Sequence, residues 1–157
     1  MAQSKLGVAV VCAALIGMGV AGCSSTGSGY FAAGSSTSSI DLSQSAADTI
    51  AADMAGHLAR TTGPSKGAIV LGSKETMMSK ALETNLRALG FAIDPSAKSP
   101  DAIALGYTIT GDQEQIFVRI TTPTLELARV YAATPLGVDR VTPLSILRRS
   151  ESEKAPL

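Results

Sequence analysis

The sequence contains few of the side chains that carry most enzyme chemistry. It has one histidine, two cysteines and no tryptophan, and aromatic residues make up 4% of the chain. A lone histidine excludes multi-histidine metal sites. The sequence therefore predicts no catalytic residues, no metal site, no cofactor and no enzymatic activity.

Charge and aromatic content exclude two further classes of ligand. The formal net charge of the chain is zero, so it has no basic field that could hold nucleic acid. The few aromatic rings make a base-stacking site or an aromatic cage for a small ligand a poor fit to this sequence. We expect neither direct nucleic-acid binding nor a small-molecule substrate.

Three features that resemble chemical motifs are better explained by structural roles. Residues 67–74 resemble a phosphate-binding loop, but the order Ser73-Lys74 is the reverse of the one that this chemistry requires. Asp112 and Glu114 lie in a predicted hairpin turn, where solvent keeps carboxylates ionised. His57 lies beside apolar positions of a predicted helix, which favours a partly covered structural side chain over a catalytic base.

The N-terminal segment predicts export and lipid attachment. Lys5 precedes an apolar run over residues 6–20, and small residues follow, which is typical of a secretory signal peptide. The segment ends in the pattern of a bacterial lipobox, in which the cysteine thiol receives diacylglycerol before cleavage. Cys23 would be the lipid attachment site and the first residue of the mature protein. The alternative is an ordinary signal peptide with a coincidental cysteine. The lipobox residues are Val20, Ala21, Gly22 and Cys23.

Lipidation at Cys23 would leave the mature protein without a free thiol. The other cysteine, Cys12, lies inside the apolar run and would be removed with it. A disulfide and a Cys–His catalytic pair are then both excluded, so the fold has to be held by its apolar core.

Composition divides the chain into four segments. Residues 1–22 are the predicted lipoprotein signal peptide, and residues 23–42 form a lipidated N-terminus followed by a flexible linker rich in Ser and Gly. Residues 43–133 form one small domain. Residues 134–157 form a C-terminal extension with a possible edge strand at 141–147 and a disordered end.

Two amphipathic helices are predicted in the domain. The first begins at Ser43 or Ser45, places Asp48 and Asp53 away from its apolar stripe, and stops at residues 62–64. The second is predicted to be capped by Ser73 and to end at Gly90. Its apolar face repeats at intervals of four, four and three residues, at Met78, Leu82, Leu86 and Leu89.

The remaining apolar segments predict five strands and an α+β fold. Short turns separate the last three strands, and such turns join antiparallel neighbours. The predicted order is α-β-α-β-β-β-β, with the helices packed on a largely antiparallel sheet. The predicted strands cover residues 68–71, 91–93, 103–109, 116–120 and 125–132.

Five segments together span most of the predicted domain and carry a family resemblance. They are Ala21-Gly22-Cys23, Ala-Ala-Asp-Thr-Ile-Ala at 46–51, Leu-Glu-Thr-Asn-Leu-Arg-Ala-Leu-Gly-Phe at 82–91, Leu-Gly-Tyr-Thr-Ile at 105–109 and Leu-Ala-Arg-Val-Tyr at 127–131. Their order and spacing resemble the TrbH family, the small lipoproteins of the Trb conjugal-transfer systems, which belong to type IV secretion machinery.

The resemblance implies a non-enzymatic lipoprotein of the mating-pair apparatus. Its partners would be the membrane, through lipidated Cys23, and other envelope subunits of the conjugation channel, which it would help to assemble or anchor for plasmid DNA transfer. Ser24 and Ser25 resemble the residues of lipoproteins sent to the outer membrane, so the expected location is the periplasmic face of that membrane.

An exposed strand is the predicted docking element. A sheet edge can accept a partner strand through backbone hydrogen bonds alone. The sequence places this edge either at residues 125–132 or at 141–147. The alternative function is a periplasmic lipoprotein that binds a ligand or the cell wall and is unrelated to conjugation.

Overall fold

A computed structural model of the chain describes residues 34–64, 67–72, 75–96, 98 and 101–149. It confirms the α+β class, with two helices and a seven-stranded, mostly antiparallel sheet among these residues. In chain order the elements are β1 (Thr37–Ser38), α1 (Gln44–Thr62), β2 (Ile69–Leu71), α2 (Met77–Ala88), β3 (Ile103–Gly111), β4 (Gln115–Thr121), β5 (Leu125–Thr134), β6 (Gly137–Arg140) and β7 (Ser145–Arg148).

Helix α1 begins and ends where the sequence predicts. The hydroxyl of Ser43 accepts a hydrogen bond from the amide of Ala46 at 3.2 Å, which satisfies one of the free donors of the first turn. The helix stops at Gly63, whose φ of 69° is accessible to glycine at little cost. The predicted apolar stripe is buried, and it comprises Ala47, Ile50, Ala51, Met54 and Leu58.

Helix α2 begins later than predicted. Its N-cap is Thr76, because Thr76 and Ser79 form a reciprocal capping box in which each side chain accepts from the other residue's amide. Ser73, the predicted cap, lies outside the described residues. The helix ends at Ala88, so Leu89 lies beyond its last turn and is 40% exposed, contrary to the predicted apolar face. The predicted glycine C-terminus is confirmed by Gly90, with a φ of 88°.

The predicted three-stranded meander forms the centre of the sheet. Strands β3, β4 and β5 pair antiparallel, with Ile109 opposite Val118 and Val118 opposite Arg129. Short strands complete both sides of the meander. β1 and β2 pair parallel with β3, and β6 and β7 pair antiparallel with β5. β5 is therefore an interior strand.

The sheet extends past the predicted 43–133 domain in both directions. On the N-terminal side, β1 belongs to a stretch predicted as flexible linker. On the C-terminal side, β6 and β7 replace the single strand predicted at 141–147, because Pro143 has no N–H to give to a ladder. The strand predicted at 91–93 is reduced to one parallel bridge between Ile93 and Ile69.

The segment before α1 is closely fitted to the sheet. The amide of Tyr107 donates to the hydroxyl of Ser36 at 3.2 Å, and the amide of Ser39 donates to the carbonyl of Ile109 at 3.0 Å. A Cβ built on Gly106 would lie 2.1 Å from the Ser35 carbonyl oxygen. Glycine at 106 is therefore what lets residues 35–39 approach β3 so closely.

Replacing Gly106 with alanine should force these residues away from β3. We expect the free energy of unfolding to fall by about 1–3 kcal/mol, the usual cost of an overpacked site, and residues 35–40 to become a protease cleavage site. Urea denaturation and limited proteolysis measure the two effects. The control is Gly56→Ala in α1, where the added Cβ meets only the Arg60 side chain at 3.5 Å and helix propensity favours alanine. Unchanged proteolysis in the Gly106 variant would contradict the expected displacement.

Candidate functional site

A buried ionic cluster joins α1 to the C-terminal half of the sheet. The side chain of Asp53 is 4% exposed, and four side chains surround its carboxylate. Arg129 Nη1 lies 2.5 Å from it, the Tyr131 hydroxyl 2.8 Å and Arg140 Nε 2.9 Å. His57 Nε2 lies 3.7 Å from the same carboxylate. The cluster therefore fastens β5 and β6 to the helix through one carboxylate.

The local periodicities bring these side chains together. Arg129 and Tyr131 are two residues apart on β5 and face the same side of the sheet. The register places Arg140 directly opposite Tyr131. On the helix, Asp53 and His57 are four residues apart and share one face.

The cluster keeps its carboxyl group ionised. Burial alone would raise the pKa of Asp53, but the hydrogen bonds from Tyr131 and Arg129 and the charges of Arg129 and Arg140 outweigh it and lower that pKa below its ordinary value. Burial and the neighbouring Asp53 carboxylate raise the pKa of the Tyr131 hydroxyl. Burial and the charge of Arg60 lower the pKa of His57. The surroundings therefore favour the charged form of the Asp53 carboxyl group and the neutral form of the Tyr131 hydroxyl.

Positive charge exceeds negative charge around Asp53. Arg129 and Arg140 contact this one carboxylate, and Arg60 is close enough to affect the pKa of His57. Arg129 is 10% exposed and its Nε has no hydrogen-bond partner, whereas Arg140 is 59% exposed. The excess positive charge therefore reaches the surface at β6.

Exposed apolar side chains concentrate beside this charge. Among the described residues, seven large apolar side chains are exposed, and four of them lie within residues 136–147. Exposed apolar residues that lie together typically mark an interaction site. β6 and β7 also form a free edge, because within the described residues each pairs only with β5. The four residues are Leu136, Val141, Ile146 and Leu147.

This edge is the candidate functional site, and it corrects one of the two predicted docking positions. The prediction at residues 125–132 is wrong, because β5 is hydrogen-bonded on both sides. The prediction at 141–147 overlaps the edge. The lipobox residues Val20, Ala21, Gly22 and Cys23 lie outside the described part of the chain.

The carboxylates considered for chemistry do not form a site. The pKa of Asp112 is lowered by hydrogen bonds from the backbone of Gln115 and Glu114, as expected of an ionised turn residue. The described residues contain no group of three or more His, Cys, Asp or Glu side chains arranged to hold a metal. Neither of the two helices in the described ranges has the length and apolar character needed to cross a membrane.

Sequence reasoning missed the central residue of the cluster. The periodicity predicts Asp53 on the solvent-exposed side of α1, but the residue is buried. Its partner Arg129 offered a signal, because it interrupts an otherwise apolar strand face at Leu125, Leu127 and Tyr131. A charged residue on a buried strand face requires a partner of opposite charge. Which carboxylate supplies it depends on how the helix lies on the sheet.

Comparison with known proteins agrees with the resemblance to the TrbH family. A family model described as "Conjugal transfer protein TrbH" matches residues 26–150. The "Probable conjugal transfer protein TrbH" of Sinorhizobium fredii (strain NBRC 101917 / NGR234) is 35% identical over 112 residues, which are 67% of this chain and 76% of that protein. No solved structure matches the chain significantly.

Proposed function

The chain belongs to the TrbH family of conjugal transfer proteins, and we propose on this basis that it is a lipid-anchored, non-enzymatic envelope component of a conjugation apparatus. The family match over residues 26–150 is the observation that carries the proposal. It favours this role over a ligand-binding or cell-wall-binding lipoprotein unrelated to conjugation. The protein would help to assemble or anchor the channel through which plasmid DNA passes.

The lipobox supports the anchoring part of the proposal. Val20-Ala21-Gly22-Cys23 follows an apolar run of signal-peptide length. One acyl chain gives only reversible membrane binding, and a second chain makes the attachment durable. Diacylglycerol on Cys23 together with an acylated amine would hold the protein on the membrane. Ser24 and Ser25 favour the outer membrane, with the domain facing the periplasm.

The ordered segment before α1 supports a short connection between lipid and domain. Hydrogen bonds tie Ser36 and Ser39 to β3. The domain is therefore held from a point close to residue 34, and the connection to Cys23 is only about ten residues long. Even a fully extended chain reaches no more than about 3.3–3.6 Å per residue. Ten residues therefore keep the domain near the membrane surface, where other envelope subunits are within reach.

Deletion of the gene tests the proposed role. Transfer of the plasmid to recipient cells should fall to background in the deletion strain and recover when the wild-type gene is supplied in trans. The measurement is transfer frequency per donor, with plasmid copy number as the control for replication. Normal transfer without the gene would reject a required role in conjugation.

A further inference from the structure

The free edge offers backbone hydrogen-bonding groups to a partner strand. The amide of Arg149 donates to the carbonyl of Thr124 at 2.8 Å, which directs this amide towards β5. Because alternate residues of an antiparallel strand point to opposite sides, the N–H and C=O groups of Ile146 and Arg148 point away from β5. In β6, the amide of Val141 donates to the carbonyl of Val130 at 3.0 Å, so this amide is directed towards β5. The backbone N–H and C=O groups of the preceding residue, Arg140, therefore point away from β5.

The two flanks of this edge differ in chemistry. On the helix side of the sheet lie Arg140, opposite Tyr131, and Arg148, opposite Leu125. Ile146, opposite Leu127, lies on the same side and is 48% exposed. The outer side carries Leu147, opposite Glu126 and 52% exposed, together with the exposed polar residues Asp139, opposite Ala132, and Ser145, opposite Ala128. The flank on the helix side is therefore basic with one apolar residue, and the outer flank combines Leu147 with polar side chains.

The basic flank is not neutralised by the described part of the chain. Arg140 shares the carboxylate of Asp53 with Arg129. Arg148 is exposed and forms no ion pair with a carboxylate of the described residues, whereas the adjacent Arg149 pairs with Glu126 at 2.6 Å. A strand added to this edge would thus meet two arginine head groups on one face.

We propose that β6 and β7 accept an extended segment of another protein in which acidic residues alternate with apolar ones. The acidic side chains would face Arg140 and Arg148, and the apolar side chains would pack on Leu147. Backbone hydrogen bonds to Ile146 and Arg148 would set the register. This inference rests on the proposed role in an envelope assembly, for which it supplies the chemistry of the partner.

A second copy of the chain fits this edge less well. If two β7 strands pair, the residues whose backbone groups point away from β5 in one copy hydrogen-bond to the corresponding residues of the other copy. A two-fold pairing centred on Leu147 places Ile146 opposite Arg148 of the other copy. The two Arg148 side chains then lie diagonally on the same face, where like charges repel. An acidic partner removes this repulsion.

Peptide binding to the detergent-solubilised full chain tests the proposal. The probe is a nine-residue peptide in which glutamate and valine alternate, and the control peptide has lysine in place of each glutamate. We expect binding of the glutamate peptide only. The substitution Arg148→Glu should weaken it by about tenfold or more, since truncated or reversed charge pairs in interfaces have effects of this size. The matched control is Lys98→Glu, a charge reversal at an exposed residue of the loop between α2 and β3, which should leave binding unchanged.

Amide hydrogen exchange locates the bound peptide. Saturating glutamate peptide should slow the exchange of the Ile146 and Arg148 amides and leave that of the Leu147 amide, already directed at β5, nearly unchanged. Equal binding of both peptides, or no binding of either, would overturn the proposal. So would binding that appears only after residues 150–157 are deleted, which would make the chain's own tail the occupant. Concentration-dependent dimerisation that protects the same amides without peptide would assign the edge to a second copy.

The two proposals fail separately. Absence of peptide binding in a protein that is still required for plasmid transfer would reject the acidic-strand partner and leave the conjugation role intact. Normal plasmid transfer by a gene deletion strain, with peptide binding preserved in the purified protein, would reject the conjugation role and leave the acidic-strand partner intact.

Discussion

Replacing Asp53 with alanine should lower the free energy of unfolding by about 3–5 kcal/mol, the cost of removing one partner of a buried ion pair. The substitution leaves Arg129, 10% exposed, with a buried charge and no carboxylate. It also removes the acceptor for the Tyr131 hydroxyl, which is buried. Arg140 can turn into solvent, so the loss is concentrated on the two β5 residues. Urea denaturation at neutral pH measures the effect.

The matched control is Asp48→Ala on the same helix. Asp48 is exposed, and its carboxylate accepts a hydrogen bond from Gln44 at 2.8 Å. Removing it should change the stability by about 0.5 kcal/mol or less, as for most surface substitutions. A double variant, Asp53→Ala with Arg129→Met, should recover much of the lost stability, because it also removes the buried positive charge. Equal losses in the Asp48 and Asp53 variants would show that the cluster contributes little.

The same carboxylate makes stability depend on acid pH. The folded state lowers the pKa of Asp53 below its ordinary 3.8, so protonation favours the unfolded chain. The stabilising contribution is fully present above pH 3.8 and is lost as the pH falls through the folded-state pKa. An Asp53→Asn variant should therefore lose less stability than the wild type between about pH 5 and about pH 2.

The order of the main elements could be read from the sequence because each depends on local periodicity. Helix α1 follows an apolar stripe with a serine cap, and β3 to β5 follow alternation interrupted by short turns. The start of α2 could not be predicted in this way. Ser73 and Thr76 are both good caps, and the choice depends on the reciprocal bonds between Thr76 and Ser79.

The candidate site depended on long-range pairing and was harder to predict. The sequence predicts an exposed edge strand but does not distinguish residues 125–132, which become β5, from residues 141–147. The pairing partners of β5 decide between them. Two short strands flank it on one side, and both lie after the predicted domain. Their side chains give no alternating pattern of the kind that identifies a buried strand, because β7 is exposed at each of its four residues.

Substituting Cys23 with serine should abolish lipid attachment and, with it, plasmid transfer. The thioether to diacylglycerol forms at the cysteine sulfur, so serine offers no equivalent nucleophile at the lipobox. We expect no incorporation of labelled palmitate and no cleavage after Gly22. The matched control is Cys12→Ser, which removes the other thiol from the apolar run and should leave labelling, cleavage and transfer unchanged. Palmitate labelling, gel mobility and transfer frequency measure the three outcomes.

An uncleaved Cys23→Ser precursor would still hold its apolar run, which can keep it on the inner membrane without a lipid. Fractionation of this variant alone therefore cannot separate lipid anchoring from signal-peptide retention. Replacing residues 1–22 by a signal peptide with an ordinary cleavage site, together with Cys23→Ser, removes the ambiguity. This second variant should appear in the soluble periplasmic fraction and fail to support transfer, because the domain would lose its position at the membrane. Soluble protein with normal transfer would show that the lipid is dispensable, and labelled palmitate on the Cys23→Ser variant would exclude Cys23 as the attachment site.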